Sequence, residues 1–506
     1  MTNDATRTKA VGAQIASGAA WLVLLRLTLR IIGFVSTALL ARLLVPADYG
    51  IVAMASSVLG ALEALGTFGL ILALIRYQNA DRSFYDTVWT ITLAKGIITG
   101  AIIAGGAHLA ATYLNEPRLE AVLYVLAAAV VIQGAENVGV IEFRKDLQFD
   151  KEFRLTLTVR VVAFVVTVGT ALLLWRNHWA LIAGMVAQSV TQLALTYLMH
   201  PFRPRLSLAA WRNLFAFSLW SWLTNLASLA RSHGRTVVVA AGLSSRQVGL
   251  FSVGQDVATL PTSELVHSVT RVLFSGFAKV NEDLDALGRL LTRSLGILVL
   301  IHLPTCVGLI LVSEPLVRVV LGVQWLELVP LIGILAGAAL VGLPGQVTGV
   351  ALVALGRPQV DTACCLAYAV IEVPLLIFGL AQGGLMGGGW AIFAVAAIEG
   401  IAALLIGHWA LRLSLPGLAL HCYRPLIAGT VMAGAVYSLG EAFGATADFE
   451  MALAKLLLLS LTGAVIYVGL VLALWMLQGR PDSSERQILG LVYERAGWLA
   501  RFGPRL

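Results

Sequence analysis

The sequence is dominated by long apolar runs separated by short charged or Gly/Pro-rich breaks, at about 17–44, 49–75, 87–114, 118–141, 154–174, 179–199, 213–242, 247–275, 291–321, 326–355, 359–381, 386–411, 420–441 and 451–477. Each reaches the roughly 20 residues that a helix needs to cross the hydrocarbon core of a bilayer. Within lipid the backbone has no water to bond, so such segments must satisfy their own donors and acceptors, and runs of this length do so as helices. The expectation is an all-α polytopic membrane protein with about fourteen transmembrane helices. Composition excludes the alternative: 58% of the 506 residues are hydrophobic and 12% charged, against roughly 25% charged in a soluble domain. Little chain remains for a soluble catalytic domain.

The excess of 35 Lys and Arg over 28 Asp and Glu reflects basic residues placed in cytoplasmic loops, not nucleic-acid binding. An amino terminus in the cytoplasm puts most of them on that side, among them Arg76, Arg82, Arg144, Lys145, Arg203, Arg205, Arg357 and Arg480, and puts both termini there. The opposite side receives Arg42, Arg118, Arg176, Arg246, Arg318 and Lys455. Arg26 and Arg30 interrupt the first apolar run, which reads as an uncleaved first helix and not as a signal peptide. Cys306, Cys364, Cys365 and Cys422 have neither CxxC nor Cys/His ligand spacing, so no disulfide, metal or cofactor is expected.

The chain also repeats itself weakly. ARLLVPADYGIVAMA (41–55) lies over AAGLSSRQVGLFSVG (240–254), pairing Gly50 with Gly249 at an offset of 199, and Trp179-Ala180 pairs with Trp390-Ala391 at 211. A slowly growing offset across about six helices implies two copies inserted in the same direction and related by an axis along the membrane normal. The expected domains are an N-terminal six-helix lobe (1–200), a C-terminal six-helix lobe (201–412), an appended helix pair (413–477) and a cytoplasmic tail (478–506). The tail reads equally as an amphipathic surface helix or as a frayed end.

No phosphate loop, HExxH or GxSxG elbow is present. Asp283-Leu284-Asp285 resembles a metal-binding DxD but lies in a short connection, and the glycines of 383–389 read as a hairpin between two helices. The informative residues are charges inside apolar runs, each costing about 2.5–3.5 kcal/mol at a helix centre. Arg26 and Arg30 lie one turn apart on the first helix, and Arg231 and Arg235 repeat that spacing on the seventh, its equivalent under the repeat. Guanidinium forks suit phosphate, so these pairs are candidate diphosphate ligands. Internal pairing with Glu63, Asp256 or Glu264, or snorkelling to the interface, is the other reading. On the eighth helix Glu264, His267 and Arg271 fall on one stripe after Pro261, and with Glu63 they are candidates for ion coupling or for a static charge cluster. Lys95, Arg160, Glu136, Glu372 and Glu399 read as helix-packing ion pairs, and His108, His302 and His408 carry no functional reading.

Three segments resemble one family. ARLLVPADYGIVAMA (41–55) is similar to the Leu-x-Pro-x-acidic-aromatic-Gly signature after the first helix of the polysaccharide transporters in the multidrug/oligosaccharidyl-lipid/polysaccharide (MOP) exporter superfamily. FRKDLQFDKEF (143–153) resembles their loop after the fourth helix, and SEPLVRVVLGVQWLELVPLIGILA (313–336) their turn between the ninth and tenth. The resemblance covers nearly the whole chain and implies a twelve-plus-two helix plan. It implies a flippase that moves undecaprenyl-diphosphate-linked oligosaccharide across the bacterial inner membrane by alternating access, with ion antiport, for exopolysaccharide, capsule or O-antigen synthesis. Its partners would be the lipid-linked oligosaccharide, membrane lipids, and a polysaccharide polymerase and export machinery. In related flippases arginines of the first and eighth helices line the cavity; Arg26, Arg30 and Arg271 occupy those helices, whereas Arg231 and Arg235 depart from the pattern. The alternatives are a drug antiporter of the same superfamily, which would present acids and aromatics in its cavity, and a membrane glycan polymerase or ligase, which would need a larger periplasmic loop.

Overall fold

The structure is a computed structural model that describes residues 2–65, 74, 81–211, 234–280, 282–444, 448–479 and 485–486, and the regular elements among them are helical. Among the described residues nine helices are long and apolar enough to cross a membrane, or ten if the bent pair Arg118–Gly134 and Val138–Lys145 forms one span. Parts of the expected second and seventh helices, at 66–73, 75 and 213–233, lie outside the described residues. Contacts divide the chain into two compact units, Met1–Ser252 and Val253–Leu506.

The first unit contains α1 (Thr2–Leu43), α2 (Pro46–Leu65), α3 (Arg82–Tyr113), α4 (Arg118–Gly134), the single turn α5 (Glu142–Lys145), α6 (Phe149–Leu173) and α7 (His178–Met199). It is followed by α8 (Ser245–Lys279), which continues into the second unit. Pro46 opens α2, where its missing N–H costs nothing and its fixed φ suits the first turn. Buried Asp48, in that same turn, accepts from the backbone N–H of Val45 at 3.2 Å and of His178 at 2.9 Å, so one carboxylate caps α2 and fixes the start of α7 beside it. The path after α4 bends by 66°. Asn137, fully buried at the bend, accepts from Gly139 N and donates to Phe202 O at 2.8 Å, replacing bonds that a straight helix would make.

The unit boundary falls inside α8, although the repeat divides the sequence near residue 200. Hydrogen bonds hold the segment just after residue 200 to the first unit. The extended strap 200–208 is tied back to α3, with Arg205 N donating to Asp86 Oδ1 at 2.8 Å, Ser207 N to Thr90 Oγ1 at 3.0 Å, and Arg82 Nη2 to Arg203 O at 2.9 Å.

The second unit contains α9 (Leu284–Val320), α10 (Val329–Val341), α11 (Leu343–Ala354), α12 (Pro358–Leu411), α13 (Leu415–Ala442) and α14 (Phe449–Leu477). Leu291, Leu295 and Leu298 of α9 pack with Leu343, Val347 and Ala351 of α11 in its core. Pro304 interrupts the ladder of α9 and removes the N–H that Leu300 O would accept. Tyr467 of α14 donates to that oxygen at 2.8 Å, so the defect in one helix becomes the attachment point of another. The 54 residues of α12 would reach about 80 Å if straight, more than twice the bilayer core. The helix instead breaks at Gly383 and Gly384, the latter at φ +52°, and its two halves cross with Gly379 and Gly387 backbone to backbone. Only the first two glycines of the expected hairpin therefore make the turn. Gly387, Gly388 and Gly389 lie in the second half and allow close packing. Near the end of the chain, Glu485 forms a buried ion pair with Arg424 of α13 at 2.8 Å. The rest of the expected amphipathic stretch lies outside the described residues.

Candidate functional site

In the first unit α1 packs along α6, with the rings of Trp21 and Phe153 5.0 Å apart. Arg26 is exposed and Arg30, one turn on, is half-buried. On the following turn Gly33 leaves a gap in the surface of α1. The guanidinium of Arg160, from the middle of α6, lies there, its Nη2 3.9 Å from where a Cβ would stand. Residues 30 and 33 share a helix face, so this guanidinium reaches α1 about one turn beyond Arg30. Arg160 makes no ion pair or hydrogen bond with the described residues, which corrects its reading as a packing pair. Its own helix offers no acid at i±3 or i±4. Beside it is a cavity of about 160 Å³ bounded by α1, α2, α6 and α7, with Ser36, Arg160, Thr167 and Gln188 among its walls. One wall is set by Gly184, whose missing side chain lets α7 approach Thr167 of α6.

The other expected site residues are placed less completely. Glu63 on α2 is half-buried and lies in the electrostatic field of Lys95 on α3. Arg235 is half-buried in the helical stretch 234–242, whereas Arg231 lies outside the described residues. Glu264, His267 and Arg271 occupy one uninterrupted helix, α8, so their spacing of three and seven keeps them on one face; their side chains lie outside the described residues. Asp283 is the N-cap of α9, its Oδ1 accepting from Asp285 N and Ala286 N at 2.9 Å each, so the DxD pattern has a structural role. Among the described residues no group of three His, Cys, Asp or Glu is arranged to hold a metal ion.

Two further arrangements come from the packing, and only the second has a signal in the sequence. In the second unit Asp361 and Glu399, on the two halves of α12, line one small pocket of about 30 Å³ with Tyr368 and Thr348. Space for both carboxylates comes from α11: a Cβ on Gly345 would stand 2.6 Å from Glu399 Cγ, and one on Gly349 2.6 Å from Asp361 Oδ1. The pocket has room for about one water molecule, whose share of liquid volume is about 30 Å³. In the first unit the glycines paired by the repeat meet. A Cβ on Gly50 would overlap Ser245 O, and a Cβ on Gly249 would overlap Pro46 O. Residues 46 and 50 correspond to 245 and 249 at the same offset of 199, so the two contacts mirror each other across the starts of α2 and α8. Glu116, in the loop before α4, braces this crossing through bonds to Arg118, at 2.7 Å, and to Ser245. The Arg118 guanidinium outweighs burial and holds the Glu116 carboxyl below the usual carboxylate range. Its stabilising contribution is therefore complete at neutral pH and is lost as pH falls through that lowered value.

Residues 39–330, more than half of the chain, match the family described as polysaccharide biosynthesis protein. The chain belongs to this family. Among polysaccharide biosynthesis relatives, it is 26% identical over 456 residues to the succinoglycan biosynthesis transport protein ExoT of Rhizobium meliloti (strain 1021), covering 87% of this chain and 89% of that one. It is 24% identical over 375 residues to the lipopolysaccharide biosynthesis protein WzxC of Escherichia coli (strain K12), covering 73% and 76%. The fold is similar to that of a solved structure described as the lipid II flippase MurJ, inward closed conformation, with a TM-score of 0.67 at 12% identity over 90% of this chain and 99% of that one. An inward-facing multidrug resistance MATE family transporter of the MOP superfamily gives 0.59 at 16% identity, covering 76% and 94%.

Proposed function

We propose that this protein is a flippase that moves lipid-diphosphate-linked oligosaccharide across the cytoplasmic membrane by alternating access. The observation that carries the reading is the likeness to a succinoglycan transport protein and to WzxC over most of the chain, in a protein whose first helix bears Arg26 and Arg30 on one face. A basic face suits a diphosphate, and it argues against a pump for cationic drugs despite the shared fold. Arg231, Arg235 and Arg271 complete the anion site in this reading. The chain acts as a transporter, not an enzyme. Two six-helix lobes and an appended pair remain the architecture we infer from the repeat, and the mirrored contacts at Gly50 and Gly249 support the duplication.

Alternating access requires a ligand or ion that binds the two states differently, since equal binding shifts nothing. We assign coupling to Glu63, Glu264 and His267, with Asp361 and Glu399 as a second carboxylate pair. Proteoliposomes carrying undecaprenyl-diphosphate-linked oligosaccharide test the reading. The wild type transfers the lipid between leaflets, and Arg26→Ala or Arg30→Ala slows transfer about ten- to a hundredfold, the range for losing a hydrogen bond to a charged group. Lys at either position restores the rate only in part, because it lacks the planar fork. Transfer no faster than in empty liposomes sinks the proposal. In the same assay Glu264→Gln and Asp361→Asn variants identify which carboxylate confers dependence on an ion gradient.

The proposed orientation has both termini in the cytoplasm. In a background without native cysteines, Arg176→Cys, after α6, labels with an impermeant thiol reagent from the periplasm and Leu206→Cys, after α7, does not. Labelling of both from one side breaks the proposed alternation.

A further inference from the structure

The first-unit cavity is built like a small ligand site. Arg160 stands near the middle of a membrane-spanning helix, where an unneutralised cation costs about 2.5–3.5 kcal/mol. Its guanidinium is exposed at the cavity, and neither it nor the side chains of Ser36 and Gln188, which share the cavity, bond any described residue. One planar cation, one hydroxyl and one amide thus line the same space, and Gly33 leaves room for the guanidinium beside α1. Arg26 and Arg30 are not part of this lining.

We infer that this cavity is a subsite for one carboxylate-bearing sugar of the transported oligosaccharide, with Arg160 gripping the carboxylate and Ser36 and Gln188 bonding the ring hydroxyls. The inference rests on the flippase reading for the source of its ligand. Three features select this chemistry. A single guanidinium matches a monoanion held by two parallel bonds, whereas a diphosphate calls for more than one cation, as at Arg26 and Arg30 of α1. Neutral donors and acceptors around that cation suit hydroxyl groups. At about 160 Å³ the cavity is several times the roughly 30 Å³ of a water molecule yet below the roughly 300 Å³ at which pockets for whole drug-sized ligands begin, so it holds one ring.

The test uses the full-length protein in lipid nanodiscs, titrated separately with glucuronate, glucose and inorganic pyrophosphate, with thermal stability as the readout. Glucuronate gives a saturable rise with Kd on the order of 1 mM and glucose gives none at matched concentrations. Arg160→Gln weakens the glucuronate response about ten- to a hundredfold and leaves the pyrophosphate response intact, while Arg26→Ala with Arg30→Ala does the reverse. If Arg160→Gln does not fold, Arg160→Lys and Gln188→Leu decide, each expected to weaken glucuronate alone. The subsite is overturned by no saturable response to glucuronate, by equal loss of both responses in Arg160→Gln, or by wild-type glucuronate affinity in both Arg160→Lys and Gln188→Leu. A wild-type chain that binds glucuronate but moves no lipid-linked oligosaccharide supports the subsite and sinks the flippase reading instead.

Discussion

Alanine at Gly50 or at Gly249 is expected to reduce transport by about a hundredfold while the protein still inserts in the membrane. Each glycine faces the backbone of the other repeat, so even a methyl group overlaps a carbonyl oxygen that no rotamer change can move aside. An overlap at the upper end of overpacking costs, about 3 kcal/mol, lowers the population of the state containing this crossing about a hundredfold. If alternating access makes and breaks the crossing, one half of the cycle is then inaccessible. Gly105→Ala and Gly106→Ala on α3 serve as controls, since a Cβ there meets nothing within 4 Å, and both should transport normally. Normal polymer output from cells carrying Gly50→Ala or Gly249→Ala removes the crossing from the cycle.

Replacing either member of the Arg424–Glu485 pair is expected to destabilise the protein by about 3 kcal/mol or more. Both side chains are over nine-tenths buried and their nitrogen and oxygen stand 2.8 Å apart, so deleting Glu485 leaves a buried guanidinium without its carboxylate. The double variant Arg424→Met/Glu485→Leu should recover much of the loss, because volume is kept and no charge is left to desolvate. Ending the chain at Gln478 should reproduce the Glu485→Ala loss, because it removes the same carboxylate. Thermal unfolding in detergent reads all four. Wild-type stability in both single variants means that the pair contributes nothing and that the tail is not held through Arg424.

Apolar run length and Gly/Pro punctuation were enough to give a helical membrane protein, because lipid leaves a chain of this composition few alternatives. Of the signature residues Pro46 acts locally, as helix starter, whereas Asp48 also reaches His178 and Gly50 meets Ser245, contacts that the sequence alone does not give. The repeat offset makes Gly249 the equivalent of Gly50, and the two meet in the structure. Arg160 is legible as a charge in an apolar run with no acid on its own helix, but only the packing shows that it has no ion-pair partner among the described residues.

Tertiary structure decided everything that depends on distant segments meeting. Asp361 and Glu399 are far apart in the chain and share a pocket only because α12 folds back at Gly384 and the glycines of α11 make room. Glu485 found Arg424 from a tail whose own pattern left two readings open. The physical division is one of range. Hydropathy, proline and glycine act on the backbone within a few residues and can be read in order along the chain. The environment of a charge is set by whichever helices the packing brings against it, and that is a property of the folded molecule.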